Sequence, residues 1–354
     1  MNDEIKTAIR AASGQMNAFC AKEELFRAHD CGLPDRSEVI DITERLRALM
    51  FPGFFGDTDA ARSDYAAGYA LTGIAEKLQR QLISAFGYAG GCENAESRAS
   101  GGCENAESRA SGGCENAESR ASGGRENAES RASGGCENAE SRTSGGCENA
   151  ESRASDVCAR FIGALPGVQR LLLSDVEAAF EGDPAAKSRA GVVFSYPGLY
   201  AITVYRLAHI LYNENVPFIP RIMTEHAHSL TGIDINAGAT IGKYFFIDHG
   251  TGVVVGETTV IGDFVKLYQG VTLGALSTRQ GQKLAGVKRH PTLGNRVTVY
   301  SGASILGGDT VIGDDCVIGG NAFVTASVPA HTRVSVKSPE LTFREVNRTI
   351  WENA

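Results

Sequence analysis

At 354 residues the chain has room for two domains, and its 42% hydrophobic and 21% charged content is that of an ordinary soluble globular protein. A net charge of −8 argues against nucleic acid as the main partner, because phosphate binding rests on clustered Lys and Arg. No apolar run is long enough for a membrane helix, and the start Met1-Asn2-Asp3-Glu4-Ile5-Lys6 lacks the pattern of a secretory signal, so a cytoplasmic protein with no membrane partner is expected.

Residues 1–89 read as the first part of a helical N-terminal domain. Ser37 is placed to cap a helix carrying Val39, Ile42, Leu46 and Leu49 at helical spacing. A turn is expected at Phe51-Pro52-Gly53-Phe54-Phe55-Gly56, followed by a helix through Tyr65, Tyr69, Ile74, Leu78 and Leu82.

Residues 90–155 are six tandem copies of an 11-residue unit, Gly-Gly-Cys-Glu-Asn-Ala-Glu-Ser-Arg-Ala-Ser, varied only at Arg125 and Thr143. Each copy carries two Glu and one Arg, so the six contribute −6, which Arg125 reduces to −5 and which leaves −3 of the total −8 for the rest of the chain. Two glycines per copy cost about 2 kcal/mol of helix propensity relative to alanine, with no apolar stripe to offset it. The tract is expected to be inserted, flexible or only intermittently helical, and without chemistry of its own. Five of the nine cysteines are copies of its third residue, and the other four, Cys20, Cys31, Cys158 and Cys316, are scattered. With neither close Cys pairs nor accompanying His, reduced thiols and no metal are expected.

Residues 156–230 read as the second part of the helical domain. Pro166 suits the first position of a helix containing Val168, Leu171, Leu172, Val176 and Phe180, and two further helices fit 197–213 and 217–230.

The pattern changes after Thr231. Aliphatic residues recur every six positions at Ile235, Ile241, Ile247 and Val253, then, after a shift of two, at Val255, Ile261, Leu267 and Leu273. A third run gives Leu293, Val299 and Ile305 and continues after one extra residue with Ile312, Ile318 and Val324. A period of six fits neither an amphipathic helix nor β-hairpins, but it fits a parallel β-helix in which one aliphatic residue per side faces the axis. The fold class is therefore α+β, with residues 231–336 forming a left-handed parallel β-helix of about five coils and 337–354 a tail. The period breaks once, so residues 276–289 must loop out of the prism, and loops thrown from a rigid scaffold often carry function.

Polar clusters mark where chemistry would sit: Ile233-Asp234-Ile235-Asn236, Asp248-His249-Gly250-Thr251-Gly252, and Lys288-Arg289-His290-Pro291 closing the extruded loop. Asp234 and His249 are fifteen residues apart, close to a coil of about eighteen, so stacking would bring them near each other. A carboxylate bonded to one imidazole nitrogen leaves the other as a base, although the spacing alone fits a structural turn histidine equally well. His226 and His228 beside Glu225, and His209, read as packed or solvated; His29 and His331 show no partner in the sequence.

These segments resemble the serine acetyltransferase family. The similarity runs from about residue 175 to 330. It is carried by Asp183-Pro184-Ala185-Ala186, Thr231-Gly232-Ile233-Asp234-Ile235, Asp248-His249-Gly250-Thr251-Gly252, Gly256-Glu257-Thr258, Tyr268-Gln269-Gly270-Val271-Thr272-Leu273-Gly274 and Arg289-His290-Pro291. The resemblance implies an enzyme that moves acetyl from acetyl-CoA to the hydroxyl of L-serine, giving O-acetyl-L-serine for cysteine biosynthesis. It implies His249 as general base supported by Asp234, Asp183 and Asp248 on the serine ammonium, and Arg289 on the carboxylate with His290 beside it. It further implies acetyl-CoA along Ala275, Ser301, Gly302 and Gly320, no metal, and a trimer or dimer of trimers with active sites shared across subunit boundaries. Asn236-Ala237 departs from the family's usual His-Pro, and the family members that bind cysteine synthase end in isoleucine, so that complex does not carry over. Two other classes remain: a superfamily acetyltransferase for a sugar or xenobiotic, which would not need Asp183, Asp248 and Arg289 arranged for an amino acid, and a non-enzymatic scaffold, which would not need the His-Asp set. A metal-dependent β-helix enzyme would need three His ligands, which the pattern around His249 does not supply.

Overall fold

The computed structural model describes residues 1–20, 32–56, 63–107 and 137–337, with the backbone alone for 90–107 and 137–148. Expectations for His29, Cys31, the middle of the repeat tract and the C-terminal tail lie outside the described residues.

Seven helices are described: α1 (Asp3–Cys20), α2 (Arg36–Met50), α3 (Asp64–Glu107), α4 (Glu137–Gly182), α5 (Arg189–Ser195), α6 (Pro197–Asn213) and α7 (Ile219–Thr231). Asp35, not Ser37, is the N-cap of α2: its carboxylate accepts the backbone N–H groups of Ser37 and Glu38, and the Ser37 hydroxyl donates to the same oxygen. A carboxylate outcompetes a hydroxyl there because it also complements the positive end of the helix. Val39, Ile42 and Leu46 are buried, as are Ile74, Leu78 and Leu82 of α3, whereas Tyr65 and Tyr69 are exposed. Lys77 of α3 reaches Glu38 and Asp41 of α2 at 2.9 and 2.7 Å. Helix α3 continues into the repeat tract as far as Glu107, and α4 begins within it at Glu137.

Pro166 lies inside α4 and does not start it. Its missing N–H and ring clash cost about 3 kcal/mol in a helix interior. Upstream, however, Ala150, Ala154, Val157, Phe161 and Leu165 are all buried at helical spacing, and that burial holds the helix together across the proline on its exposed side.

The chain clusters into two units, one of Met1–Arg170 and Thr203–His226, the other of Leu171–Ile202 and Ala227–Ala354. The second unit is built on a parallel β-helix. Its first coil is β1 (Asp234–Ile235), β2 (Thr240–Ile241) and β3 (Phe246–Asp248), its second β4 (Val254–Val255), β5 (Val260–Ile261) and β6 (Lys266–Tyr268). Next come β7 (Thr272–Gly274), β8 (Thr292–Leu293) and β9 (Thr298–Val299), then β10 (Ser304–Leu306), β11 (Val311–Ile312) and β12 (Val317–Ile318). The last coil holds β13 (Phe323–Val324) and β14 (Arg333–Val334). Each third strand stacks on the one before it as far as β13, and β14 stacks on β12, giving three parallel sheets in the orders β1-β4-β7-β10-β13, β11-β8-β5-β2 and β14-β12-β9-β6-β3. We call these faces A, B and C. All fourteen aliphatic positions predicted to face the axis are buried. The extruded loop leaves between β7 and β8, at the corner joining faces A and B, and contains a 3-10 turn, Gly281–Leu284.

The two-residue shift in the hexad pattern falls at one corner. Ile235 pairs with Val255 and Ile247 with Leu267, so the first coil takes twenty residues, whereas Val255 pairs with Leu273 eighteen later. The two extra residues enlarge the turn between β3 and β4, which is where His249 lies.

Helices of the same unit are fastened to β3. The Ser174 hydroxyl and Asp175 carboxylate accept the backbone N–H groups of Tyr244 and Phe245 at 3.1 and 2.9 Å. At Gly198, in the first turn of α6, an added Cβ would overlap the Ile247 carbonyl oxygen, so only glycine lets the helix approach this closely.

Candidate active site

The enlarged corner after β3 displays His249 with φ 59° and a side chain 71% exposed. Left-handed backbone is uncommon for a residue with a Cβ, although histidine adopts it more readily than most. The preceding residue, Asp248, is nearly buried; its Oδ1 lies 3.9 Å from His249 Nε2 and its Oδ2 3.3 Å from Lys266 Nζ. Lys266 occupies β6, one coil on, and its ammonium also donates to the Gly182 carbonyl at the end of α4 (2.7 Å).

Asp183 follows that carbonyl directly. Its Oδ2 accepts the Tyr196 hydroxyl at 2.5 Å and its Oδ1 the Ala185 N–H at 2.8 Å. These bonds, Tyr196 foremost, hold the Asp183 carboxyl below the usual carboxylate range, with Lys266 and His249 adding smaller attractions. The same bond pushes the Tyr196 phenol up to about 12, so Tyr196 remains a donor at any physiological pH. Asp183, Asp248, His249 and Lys266 thus form one cluster, of which the resemblance supplied the first three. Lys266 and Tyr196 carried no signal in the sequence: one depends on coil stacking, the other on the path of the chain between α4 and α6.

Asp234 stands on β1, where it stacks with Val254 on face A, and no hydrogen bond joins it to His249 among the described residues. Beside it Asn236 closes a local turn, its Oδ1 accepting the Gly238 N–H at 3.0 Å.

Arg289 and His290 end the extruded loop at the A–B corner, a whole prism side away from His249, on the order of 15–20 Å for six extended residues. They are clamped onto the corner after β4. The Arg289 guanidinium pairs with Glu257 and donates to the Leu284 carbonyl at 3.2 Å. The Thr258 hydroxyl accepts the backbone N–H groups of Arg289 and His290 at 2.9 and 3.1 Å, and Lys288 Nζ donates to the Thr258 carbonyl. His290 Nδ1 accepts the Thr258 N–H at 3.1 Å and faces its hydroxyl at 2.9 Å, so the proton of the neutral ring sits on Nε2. Glu257 and Thr258 belong to a segment noticed for its resemblance, but their part in holding the loop required the stacked coils to be seen.

Burial, then the Arg289 charge and also Lys288, push His290 from 6.5 down to about 4, with Glu257 opposing. The unfolded chain therefore binds a proton here between these two pH values that the folded chain does not, and stability should fall as pH drops from 6.5 towards 4. At 1.36 kcal/mol per unit, denaturant unfolding should show wild type losing about 2 kcal/mol more between pH 7 and 4.5 than His290→Gln does. Equal losses would show that His290 is not held neutral.

Ser301 and Gly302 turn the C–A corner between β9 and β10, and Gly320 the same corner one coil later. They share one column with His249: Gly252 N bonds Gly232 O, Gly270 N bonds Thr251 O, Gly302 N bonds Gln269 O and Asn321 N bonds Ser301 O, at 2.8–3.0 Å. Ala275 stands apart, just after β7 at the A–B corner.

Among the described residues the other histidines have local partners. His226 Nε2 is 3.8 Å from Glu44, and His209 packs against Tyr205 and meets Asn213. His331, for which the sequence offered no partner, lies 3.5 Å from Asp315, itself paired with Arg296 on the adjoining coil. Among the described residues no group of three or more His, Cys, Asp or Glu could hold a metal ion, and no helix is long and apolar enough to cross a membrane.

No family model matches the chain. It is 53% identical over 178 residues to a serine acetyltransferase (plasmid) of Synechococcus elongatus, a match covering 49% of this chain and 56% of that protein. It is 47% identical over 168 residues to the serine acetyltransferase of Helicobacter pylori, covering 47% of this chain and 94% of the relative. The crystal structure of serine acetyltransferase isoform 3 in complex with cysteine from Entamoeba histolytica superposes with a TM-score of 0.63 at 26% identity, covering 96% of this chain and 95% of that one. The chain thus spans just over half the length of the cyanobacterial relative and nearly all of the Helicobacter one, and its parallel β-helix with a helical region ahead of it recurs in the Entamoeba structure. This chain belongs to the serine acetyltransferase family.

Proposed function

We propose that the protein is a serine O-acetyltransferase, transferring acetyl from acetyl-CoA to the hydroxyl of L-serine to give O-acetyl-L-serine and CoA, the first step from serine towards cysteine. The observation that carries this reading is the cluster of Asp183 and Asp248 beside the exposed ring of His249. Two carboxylates suit the ammonium of an amino acid, and a base next to them meets the hydroxyl of an acceptor so anchored. His249 takes the hydroxyl proton as the oxygen attacks the thioester carbonyl; the C–S bond then breaks and the imidazolium returns the proton to the departing thiolate, giving CoA. Asp248 faces the imidazolium that forms, with Asp234 as a further support from the neighbouring strand.

Arg289 offers a forked donor to the serine carboxylate once that carboxylate replaces Glu257, and His290 stands beside it as a neutral Nε2–H donor. These two lie at a different corner of the same chain from His249, which favours a β-helix trimer in which one subunit's C–A corner meets another's A–B corner. The column of Ser301, Gly302 and Gly320, with Ala275 across face A, suits the extended CoA chain in the same groove. The Entamoeba neighbour's complex with cysteine fits this receptor, since cysteine and serine share the ammonium and carboxylate and differ in one atom.

The test is coenzyme A release from acetyl-CoA by the wild-type protein with L-serine, against sugars and against buffer alone. Turnover with serine is expected. Turnover only with another acceptor would discard serine, and none with any acceptor in a folded oligomer would favour the scaffold.

A further inference from the structure

We infer that Lys266 is a positioning residue that joins Asp183 and Asp248 into a single ammonium receptor and so sets the preference for an amino-bearing acceptor. The inference rests on the serine reading above. A lysine ammonium is strongly hydrated and is seldom buried unless its water is replaced by partners. The Lys266 side chain is only 19% exposed, and its replacements are complete: the Gly182 carbonyl at 2.7 Å, Asp248 Oδ2 at 3.3 Å, and the faces of Phe246 and Tyr268 with centroids at 4.8 and 4.5 Å.

The two polar partners come from different elements. Gly182 ends α4, where carbonyls lack helical partners and attract a cation. The next residue is Asp183, whose carboxylate is already oriented by Tyr196 and Ala185. Asp248 ends β3. One ammonium therefore fixes the helix end carrying the first carboxylate against the strand carrying the second. Nor is there slack in this junction: a Cβ at Gly182 would press on the Phe246 ring, at 2.9 Å from its Cδ1. Because Lys266 occupies Oδ2 of Asp248, Oδ1 is the oxygen turned to the His249 side.

Charge acts in the same direction as geometry at this receptor. Two carboxylates and one lysine leave a single net negative charge, which one substrate ammonium neutralises. An acceptor with hydrogen in place of the amino group leaves that charge unmatched, and a receptor without Lys266 holds two mutually repelling carboxylates with no cation joining the helix end to the strand.

The experiment measures steady-state kinetics of full-length Lys266→Met, Lys266→Gln and Lys266→Arg with L-serine, and the inhibition constant of 3-hydroxypropionate, serine without its amino group, against serine turnover. Glutamine keeps a donor for the Gly182 carbonyl and carries the test should the methionine variant fail to fold. We expect the KM for serine to rise about tenfold or more in Met and Gln, as for a lost charged hydrogen bond, with Arg restoring most of it. The KM for acetyl-CoA and the inhibition constant of 3-hydroxypropionate should stay within about twofold, because neither ligand engages the ammonium receptor. A serine KM unchanged in both Met and Gln, or a parallel rise in all three constants, would overturn the inference and make Lys266 a helix cap only. Wild type inactive with serine would instead remove the reading on which it rests.

Discussion

Replacing His249 is expected to lower turnover by roughly 10²–10⁴-fold, the range for losing a general base. The side chain is 71% exposed, so its removal opens no cavity and breaks no core contact. The backbone is the one complication: φ is 59°, where alanine is less at ease than histidine. His249→Asn removes the base while keeping a residue type tolerant of this conformation, and pairing it with His249→Ala separates chemistry from backbone strain. Both variants should release coenzyme A at the same much reduced rate, with His249→Asn unfolding at the wild-type denaturant midpoint and His249→Ala somewhat below it. A His249→Asn enzyme that kept more than about a tenth of wild-type turnover would reassign the base.

Gly256→Ala should be nearly as damaging, at a residue that touches no reacting atom. A Cβ there would overlap Cδ2 and Nε2 of His290 and come to 2.6 Å from its Cγ. No positive φ is involved, so the reason is space alone. The ring would have to leave its place, giving up its contacts with Thr258, and the backbone of Arg289 and His290 that hangs on the Thr258 hydroxyl would shift with it. Overpacking of this kind costs about 1–3 kcal/mol of stability. Misplacing Arg289 as well should reduce kcat/KM for serine roughly 10²-fold. Removing the ring should relieve the clash: Gly256→Ala with His290→Ala should unfold at the midpoint of His290→Ala alone, yet stay inactive. Additive losses of stability in the double variant would show that Gly256 and His290 do not meet.

The parallel β-helix was legible in residues 231–336 because its coil is a local repeat. Every side needs one inward aliphatic residue and a permissive corner, so the hexad period is written along the chain without any long-range information. Even the two-residue shift after Val253 was visible, but its meaning was not. Only the stacking of Ile235 on Val255 shows that the extra residues swell the corner that exposes His249. Helix ends were harder to read. The α4 start depended on whether the burial of Phe161 and Leu165 outweighed Pro166, and the α2 cap on two candidates two residues apart.

By itself, then, the sequence determined the order of architectures, the axial core, the extruded loop and the identities of the polar residues at its two corners, since each of these depends on neighbours within a turn or a coil. The tertiary structure alone decided which polar groups meet. Lys266 reaches Asp248 across a coil and Gly182 across 84 residues, and Tyr196 finds Asp183. Glu257 holds Arg289 across the 32 residues that include the loop. Such contacts rest on the stacking distance of the coils and the close approach allowed at Gly198 and Gly256. A one-residue change in coil length re-pairs every side chain above it, and so no local pattern encodes them.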